Sequence, residues 1–377
     1  MPSVRTIASA LERWAPPGSK LSYDSVGLQV GEPTKEVASV LVALDLTPAV
    51  VDEAEAMGAD LIVTHHPLLF RPLKRLIPTD FVSALAYRLA QSGIAYYAIH
   101  TNLDAAPGGV SFALAEQLGL DDVRFLDQMN ESLAKLVTFV PSDHADAVRA
   151  ALAEAGAGRI GDYSGCAFTS TGTGHFRPGD GANPFTGTPG EPESAEEVRL
   201  EVEVARWEVA RVVKALKEAH PYEEVAYDVY HVQQPSTQAG LGAVGKLPRP
   251  ERLDAFLERV ADRLDADALR YVGDREASVE TVAVCGGAGS SLVPQALAAG
   301  ADALVTADVT YHTYFAPLAP DGSPRLALID AGHYETERVT ERLITDWLTE
   351  RFPKVTARPT EHRTSPMRTF VGTSQPS

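Results

Sequence analysis

Histidine residues at the end of an apolar segment are the first side chains in this sequence that could bind a metal. The segment DLIVTHHPLLF, residues 60–70, has the composition of a buried strand and ends its apolar run at His65 and His66. Successive residues of an extended chain point to opposite sides. The pair therefore suits two different ions, or one ion if the backbone bends sharply. A polar turn after a buried strand is the alternative interpretation.

Two further clusters combine histidine with a carboxylate. HTNLD contains His100 and Asp104, and DAGHYETE contains His333 and Glu337. Residues four apart share a face of a helix, so His333 and Glu337 can ligate one ion if the helix begins at or before His333. Each cluster follows a predicted strand, and the three clusters together favour a metal site over three separate polar turns.

The candidate ligands are too many for a single catalytic zinc, which usually has three protein ligands. They fit two ions, roughly 3.5–4 Å apart, that share a bridging carboxylate and waters. Because every candidate offers nitrogen or oxygen, the sequence predicts two divalent ions per subunit but leaves zinc, iron, manganese, cobalt and nickel open. His100 and His312 are held in reserve, and the predicted ligands are His65, His66, Asp104, His333 and Glu337.

A glycine-rich segment, CGGAGSS at 285–291, connects a predicted strand to a predicted helix. Backbone amides at such a junction can bind phosphate, so the candidates are Gly286, Gly287, Gly289 and Ser290. The segment has no lysine and is not a Walker motif. A tight turn with a serine N-cap is the alternative. DSVGLQVG at 24–31 is similarly either a loop that lines a cleft or an ordinary turn.

The elements that must position these residues alternate in type. Short apolar segments and amphipathic helices follow one another from about residue 37, and the pattern returns late in the chain. This order predicts an α/β fold with a largely parallel sheet, whose ligands bind beyond the carboxyl ends of the strands. AEAMGADLIVTHH and ALAAGADALVTAD correspond closely, which indicates two similar α/β halves that form one metal-binding domain. Convergence on a common Gly-Ala-Asp turn is the alternative.

The middle of the chain has a different composition. Residues 172–196 are rich in Gly, Pro, Ser and Thr, and the surrounding segments have the order β-α-β-β-α-β. This order is that of a small ferredoxin-like unit. We therefore predict an inserted α+β domain at 131–235 and an α/β domain formed by 1–130 together with 236–377.

Composition excludes several classes of function. The 377 residues carry a net charge of −18, which disfavours nucleic acid and anionic membrane as partners. Cys166 and Cys285 are too few for a thiolate zinc site. Charged residues interrupt the N-terminal segment, and we find no apolar run long enough to span a membrane, so we expect a cytoplasmic protein.

Six motifs in this order resemble one known family. They are DSVGLQVG, LIVTHHPLLF, HTNLDAAPGGV, CGGAGSS, DALVTADVTYH and DAGHYETE. The family is that of the Nif-three-like proteins, or GTP cyclohydrolase I type 2, which contain a dinuclear metal centre. FRPGDGANPFTGTPG and HPYEEVAYDVY resemble the CutA/PII-like middle domain of its longer members. The resemblance covers nearly the whole chain and implies a toroidal homohexamer.

The resemblance also implies roles for individual residues. The family's ligands correspond to the five residues chosen by spacing, with Glu337 as the bridging carboxylate. His100, Asp308 and His312 fall in motifs near that site, where the resemblance implies that they orient ligands or transfer protons.

Two functions from different classes follow. The first is a metal-dependent hydrolase of a nucleotide-like substrate, such as one that opens the purine ring of GTP with loss of formate. The second is a non-catalytic assembly that stores or senses divalent ions, with the inserted domain as an interaction module. Nucleic-acid binding inside a ring is a third, which the net charge of −18 disfavours.

Overall fold

The chain folds as two compact units in the computed structural model, which describes residues 1–370. One unit contains Met1–Asp127 and the chain from Gly240 onward, and the other is Gln128–Ala239. The chain thus passes between units near 127 and 240, where the sequence predicted 130 and 236. Residues 371–377 of the predicted α/β domain lie outside the described residues.

Strands and helices alternate throughout the first unit. Before the inserted unit they are α1 (Val4–Trp14), β1 (Gly27–Val30), β2 (Ser39–Ala43), α2 (Pro48–Met57), β3 (Leu61–Thr64), α3 (Phe81–Ser92), β4 (Ala95–Ala98), α4 (Thr101–Asp104), α5 (Val110–Leu118) and β5 (Asp121–Gln128).

The inserted unit has the element order that the sequence predicts. Its elements are β6 (Leu133–Pro141), α6 (Ala145–Glu154), β7 (Ala167–Phe176), β8 (Glu193–Ala205), α7 (Val209–Ala219) and β9 (Tyr227–Val232). They form one antiparallel sheet in the order β7-β8-β6-β9. Helices α6 and α7 pack on it through Val148, Leu152, Val212 and Leu216.

The first unit then continues. Its remaining elements are β10 (Gly240–Arg252), α8 (Leu253–Leu264), β11 (Arg270–Val272), β12 (Ser278–Val284), α9 (Val293–Ala298), β13 (Ala303–Thr306), β14 (Ala327–Asp330), α10 (His333–Glu337), α11 (Val339–Arg351) and β15 (Thr356–Pro359).

Two mixed sheets form this unit. The order of the first is β1-β4-β3-β2-β15, and that of the second is β11-β14-β13-β12-β10-β5. In the first sheet β2, β3 and β4 run parallel, and in the second β12, β13 and β14 do so. The carboxyl ends of each parallel set therefore lie at one edge, where ligands of such sheets usually bind.

Helix α5 joins the cores of the two sheets. Val110 at its start packs with Ile344 and Leu348 of α11 in the core of the first sheet. Leu114 and Leu118, further along the same helix, are buried in the core of the second sheet. The hydrophobic contacts on both sides fix the separation of the two sets of strand ends.

Local sequence signals account for the helix ends near the strands of the first sheet. Thr47 accepts a hydrogen bond from the Val50 amide at the start of α2, and Gly58 adopts a left-handed conformation at its end, with φ of 66°. Asp80 and Ser83 form a capping box at the start of α3.

Three features of the elements were not identified from the sequence. DSVGLQVG contains a strand, β1, in addition to the loop residues that precede it. The last helix is interrupted at Arg338, which separates α10 from α11. Strand β15 was not predicted, because TARP is short and charged. It pairs with β2 at the sheet edge, where Pro359 is tolerated.

Within residues 1–370, no helix has both the length and the apolar character needed to cross a bilayer.

Replacing Thr47 by alanine is expected to lower the free energy of unfolding by about 1 kcal/mol, because one amide at the start of α2 loses its acceptor. Urea denaturation measures the change. Thr47→Ser is the matched control, since it keeps the capping hydroxyl and should recover most of the loss. Equal destabilisation by both substitutions would contradict the capping role.

Candidate metal centre

His65 lies directly after β3, with its side chain fully buried. Its Nδ1 lies 2.9 Å from the Ile99 carbonyl oxygen, so Nδ1–H donates there and the lone pair of Nε2 points the other way. Nε2 is buried without a hydrogen-bond partner among the described residues. It faces Asp104 Oδ1 at 3.7 Å and Glu337 Oε1 at 3.8 Å.

An unpaired imidazole lone pair that faces two carboxylate oxygens is unfavourable in a buried site. A cation between the three atoms would satisfy all of them. The residues present therefore fit a divalent ion, and both nitrogen and oxygen donors suit transition metals.

A sharp bend places His66 in the same site as His65. The hydroxyl groups of Thr64 and Tyr96 both donate to the His66 carbonyl oxygen, at 2.7 and 2.9 Å. The two imidazole rings lie 5.1 Å apart. His65 and His66 thus belong to one cluster but face different atoms of it. His66 Nε2 lies 2.9 Å from Glu337 Oε2, whereas His65 Nε2 faces Oε1.

Helix α10 supplies the remaining pair. His333 and Glu337 are its first and last residues, and His333 Nε2 lies 3.0 Å from Glu337 Oε2. The predicted four-residue spacing on a helix face is therefore what the structure contains. Glu337 is 4% exposed and Gly332, with φ of 92°, turns the chain into the helix.

The five predicted ligands come together around the Glu337 carboxylate. His65 faces Oε1 and also Asp104, whereas His66 and His333 lie on the side of Oε2. These are two of the three groups that could hold an ion among the described residues, and both contain Glu337. The third group is His65, His66 and His100.

Carboxylates outside the cluster hold the histidine rings in place. Asp45 Oδ1 lies 2.7 Å from His66 Nδ1, and Asp308 Oδ2 lies 2.7 Å from His333 Nδ1. Asp24 Oδ1 lies 2.9 Å from His100 Nδ1. Such contacts fix the tautomer and orientation of a ligating histidine.

The other predicted site residues, His100, Asp308 and His312, lie at different distances from the cluster. His100 lies beside the cluster, with its ring 5.1 Å from that of His65 and 5.3 Å from that of His66. Asp308 acts through His333. His312 is exposed in a short 3₁₀ segment, Tyr311–Phe315, and belongs to none of the potential ligand groups of residues 1–370. A role for His312 in proton transfer stays a prediction.

The glycine-rich segment has a packing role in this site. A Cβ atom on Gly287 would collide with Glu337 Oε1, and one on Gly286 would lie 2.7 Å from Val110 Cγ1. The amides of Gly287 and Gly289 donate to Thr336 and Thr306 hydroxyls. Those two amides are thus already paired, and Gly289, not Ser290, occupies the N-cap position of the short 3₁₀ segment that follows. The glycines allow Glu337 to approach, and phosphate binding by this segment stays a prediction.

The metal-free cluster carries protons on two histidines. Burial lowers the pKa of His66, but hydrogen bonds to Asp45 and Glu337 outweigh it and raise the pKa to about 10. The hydrogen bond to Glu337 raises the pKa of His333 to about 9. Burial opposes ionisation of Glu337, yet the hydrogen bonds from histidine hold its pKa well below its usual range.

His65 and Asp104 behave differently. Burial lowers the pKa of His65 to about 4, so its imidazole is neutral and its lone pair is available for a metal. Burial and the nearby Glu337 raise the pKa of Asp104 well above its usual value. A cation between them would remove both the desolvation cost and the repulsion between the carboxylates.

The sequence prediction missed Asp24 and Asp45 as individual residues. Asp45 follows strand β2 at its carboxyl end, which is the criterion that selected His65 and His66. Applied to VALDL, it would have identified Asp45 as well. Asp24 lies in a motif that the sequence analysis noted, but its partner His100 is 76 residues away.

Comparison with known proteins gives one consistent result. A model of the family described as Duf34/NIF3 (NGG1p interacting factor 3) matches residues 2–366. A GTP cyclohydrolase 1 type 2 homolog of Halalkalibacterium halodurans is 42% identical over 330 residues, covering 87% of this chain and 88% of that protein. The homolog of Bacillus subtilis is 41% identical over 345 residues and covers 91% of each.

A solved structure agrees. The crystal structure of a Bacillus cereus protein related to NIF3 superposes with a TM-score of 0.83 at 39% identity, and the match covers 98% of this chain and 99% of that chain. The family predicted from six sequence motifs is thereby confirmed.

Metal binding at pH 7 is expected to release at least two protons, because His66 and His333 are protonated in the metal-free protein and must lose those protons to ligate. Affinity should rise with pH toward the pKa values near 9 and 10. Calorimetric titration in buffers of different ionisation enthalpy counts the protons. A binding enthalpy that does not depend on the buffer would contradict the proposed protonation.

Gly287→Ala is expected to lower metal affinity about 10-fold or more, because the added methyl group displaces Glu337. Metal retained after dialysis, measured by mass spectrometry, tests this. Gly300→Ala is the matched control: its φ of 69° gives comparable backbone strain, but nothing lies within 4 Å of the added methyl. Equal metal loss in both variants would show that strain alone is responsible.

Proposed function

This chain belongs to the Duf34/NIF3 family, and on that premise we propose that it is a metal-dependent hydrolase acting on a nucleotide-like substrate. The observation that carries the proposal is the Glu337 carboxylate, which two groups of potential ligands share. A carboxylate in that position suits a ligand that bridges two ions.

In this proposal each ion has its own set of ligands. His65 and Asp104 would hold one ion, His66 and His333 would hold the other, and Glu337 would be the ligand common to both sets. The identity of the metal stays open among zinc, iron, manganese, cobalt and nickel. When bound, a pair of such ions activates water and stabilises developing negative charge.

The residues around the cluster give a substrate access to it and provide a group for proton transfer. The side chains of His66, Asp104 and His333 are 23%, 21% and 30% exposed, so one side of the cluster is open to a substrate. His100 lies beside them, and Asp24 at its Nδ1 leaves Nε2 to accept or donate a proton. Asp45 and Asp308 keep the other imidazoles oriented.

For the substrate we propose a purine nucleotide such as GTP, hydrolysed at its five-membered ring so that one ring carbon leaves as formate. The support is the name of the relatives, GTP cyclohydrolase 1 type 2 homolog, together with a site that suits metal-dependent hydrolysis.

We also propose a homohexameric ring as the assembly and a ferredoxin-like, CutA/PII-like identity for the unit Gln128–Ala239. Its β-α-β-β-α-β order and antiparallel sheet support the latter. The matching runs of parallel strands in the two sheets, each with an antiparallel edge strand, support duplication of one α/β half.

The alternative is a non-catalytic metal-binding or regulatory assembly. It has the same ligands and the same metal content as the hydrolase, and it differs only in the absence of turnover. The two functions are distinguished by assaying the metal-loaded protein for turnover of a panel of nucleotides and phosphoesters.

Glu337→Ala is expected to abolish both metal retention and formate release from GTP, because the substitution removes the ligand common to both groups. Formate is quantified with a coupled formate dehydrogenase assay, and metal by mass spectrometry. Glu350→Ala, an exposed glutamate on α11, is the matched control and should leave both unchanged.

Two results would count against the hydrolase. Formate release at the wild-type rate by the Glu337→Ala protein would exclude this centre as its source. Stoichiometric metal in the wild-type protein, without turnover of any nucleotide or phosphoester, would instead favour the non-catalytic assembly.

A further inference from the structure

A second concave site lies within the unit Gln128–Ala239. It is a cavity of about 700 Å³ whose walls include β7, β8, the loop 177–192 and the segment that follows α7. This volume is in the range of small-molecule sites. None of the predicted metal ligands is among its lining residues.

Aromatic side chains form much of the lining. Phe176 and Phe185 lie with their ring centroids 6.3 and 6.0 Å from that of Tyr222, and Phe139 lines the cavity from β6. Phe185 is 50% exposed, which is unusual for a phenylalanine held by neighbouring rings. Aromatic faces open to a cavity suit a flat ligand that stacks on them.

One buried carboxylate faces this aromatic lining. Glu197 on β8 is 8% exposed. Its Oε1 accepts a hydrogen bond of 2.9 Å from the Tyr222 hydroxyl, whereas Oε2 makes no hydrogen bond to any described residue. Gly174 on β7 provides the space for Oε2, because a Cβ atom there would collide with it. The carboxylate therefore retains capacity to accept N–H donors from a ligand.

The position of Tyr222 is fixed by its own motif, HPYEE. His220 is buried, and its Nε2 donates to the Phe139 carbonyl oxygen at 2.9 Å. Its Nδ1 accepts a hydrogen bond of 3.0 Å from the Tyr222 amide. A neutral imidazole that both donates and accepts thus holds the turn from which Tyr222 reaches Glu197.

The HPYEE motif also contacts the loop 177–192, which lines the cavity. The backbone N–H of Asn183 donates to Glu223 Oε1 at 2.9 Å. FRPGDGANPFTGTPG and HPYEE, two motifs that the metal centre does not use, therefore meet at this cavity. The two motifs thus contribute Phe185 and Tyr222, whose rings contact each other, to the lining of one cavity.

We propose that this cavity binds a planar nitrogen heterocycle that presents N–H donors. The ring system would stack on the aromatic side chains, and Glu197 would accept hydrogen bonds from its edge. A carboxylate suits two adjacent N–H groups, such as those on the edge of guanine. This site is independent of the metal centre and of the proposed hydrolase activity.

The charges of the lining disfavour a simple anion. Three carboxylates, those of Glu197, Glu223 and Glu224, face the cavity with the guanidinium groups of Arg177 and Arg199. Arg199 is already paired with a glutamate, Glu201, at 2.8 Å. A neutral or weakly basic ring with N–H donors is better matched than free phosphate.

The test is calorimetric titration of the full chain with guanosine, which lacks the phosphates of a nucleotide substrate, and with adenosine, whose edge offers fewer adjacent donors. Guanosine is expected to bind more tightly. Glu197→Gln, which replaces an acceptor oxygen by an amide donor, should weaken guanosine binding about 10-fold or more. Glu196→Gln, the exposed neighbour on β8, is the matched control and should have no effect.

Phe185→Ala provides a second variant in case Glu197→Gln disturbs folding, because the ring is half exposed, and it should also weaken guanosine binding. Glu337→Ala should leave binding intact. The proposal is overturned if wild-type protein binds neither nucleoside, or if Glu197→Gln binds guanosine as tightly as wild type. Binding that is lost in Glu337→Ala but kept in Glu197→Gln would assign it to the metal centre and overturn the proposal as well.

Discussion

The structure of the first unit depends on one buried carboxylate, that of Glu337. A buried carboxylate costs several kcal/mol unless charges or hydrogen bonds compensate it. In the metal-free protein His66 and His333 provide the compensation, since both lie within hydrogen-bond distance of Oε2 and hold protons. A divalent ion bound by these side chains would replace those protons.

This requirement explains why two sheets are needed. His65 and His66 follow a strand of the first sheet, and Glu337 lies in a helix that follows a strand of the second. Helix α5 contributes to both hydrophobic cores and keeps these strand ends at a fixed distance. Gly286 and Gly287 then remove the side chains that would prevent the final approach of the carboxylate.

Much of this site could be predicted from local sequence. The backbone periodicities of strands and helices determine where His65 and His66 and the pair His333 and Glu337 point. These placements could therefore be predicted without the tertiary structure. The partners of the histidines could not be predicted in the same way. Asp24 meets His100 across 76 residues, and no local pattern reports that contact.

The same limit applies to other contacts that only the tertiary structure shows. Glycine spacing suggested a phosphate loop, but the nearest group to Gly287 is the carboxylate of Glu337, 50 residues further along the chain, and only tertiary structure shows it. His312 lies in a motif near the site in sequence, yet its side chain is exposed. The edge strand β15 is determined by pairing with β2, and its own residues have little strand preference.

Anomalous X-ray diffraction from crystals of the metal-loaded protein, collected at the absorption edge of the bound metal, tests the central claim most directly. Two peaks are expected on opposite sides of the Glu337 carboxylate, one beside His65 and Asp104 and the other beside His66 and His333. A single peak, or peaks that Glu337 does not contact, would contradict it.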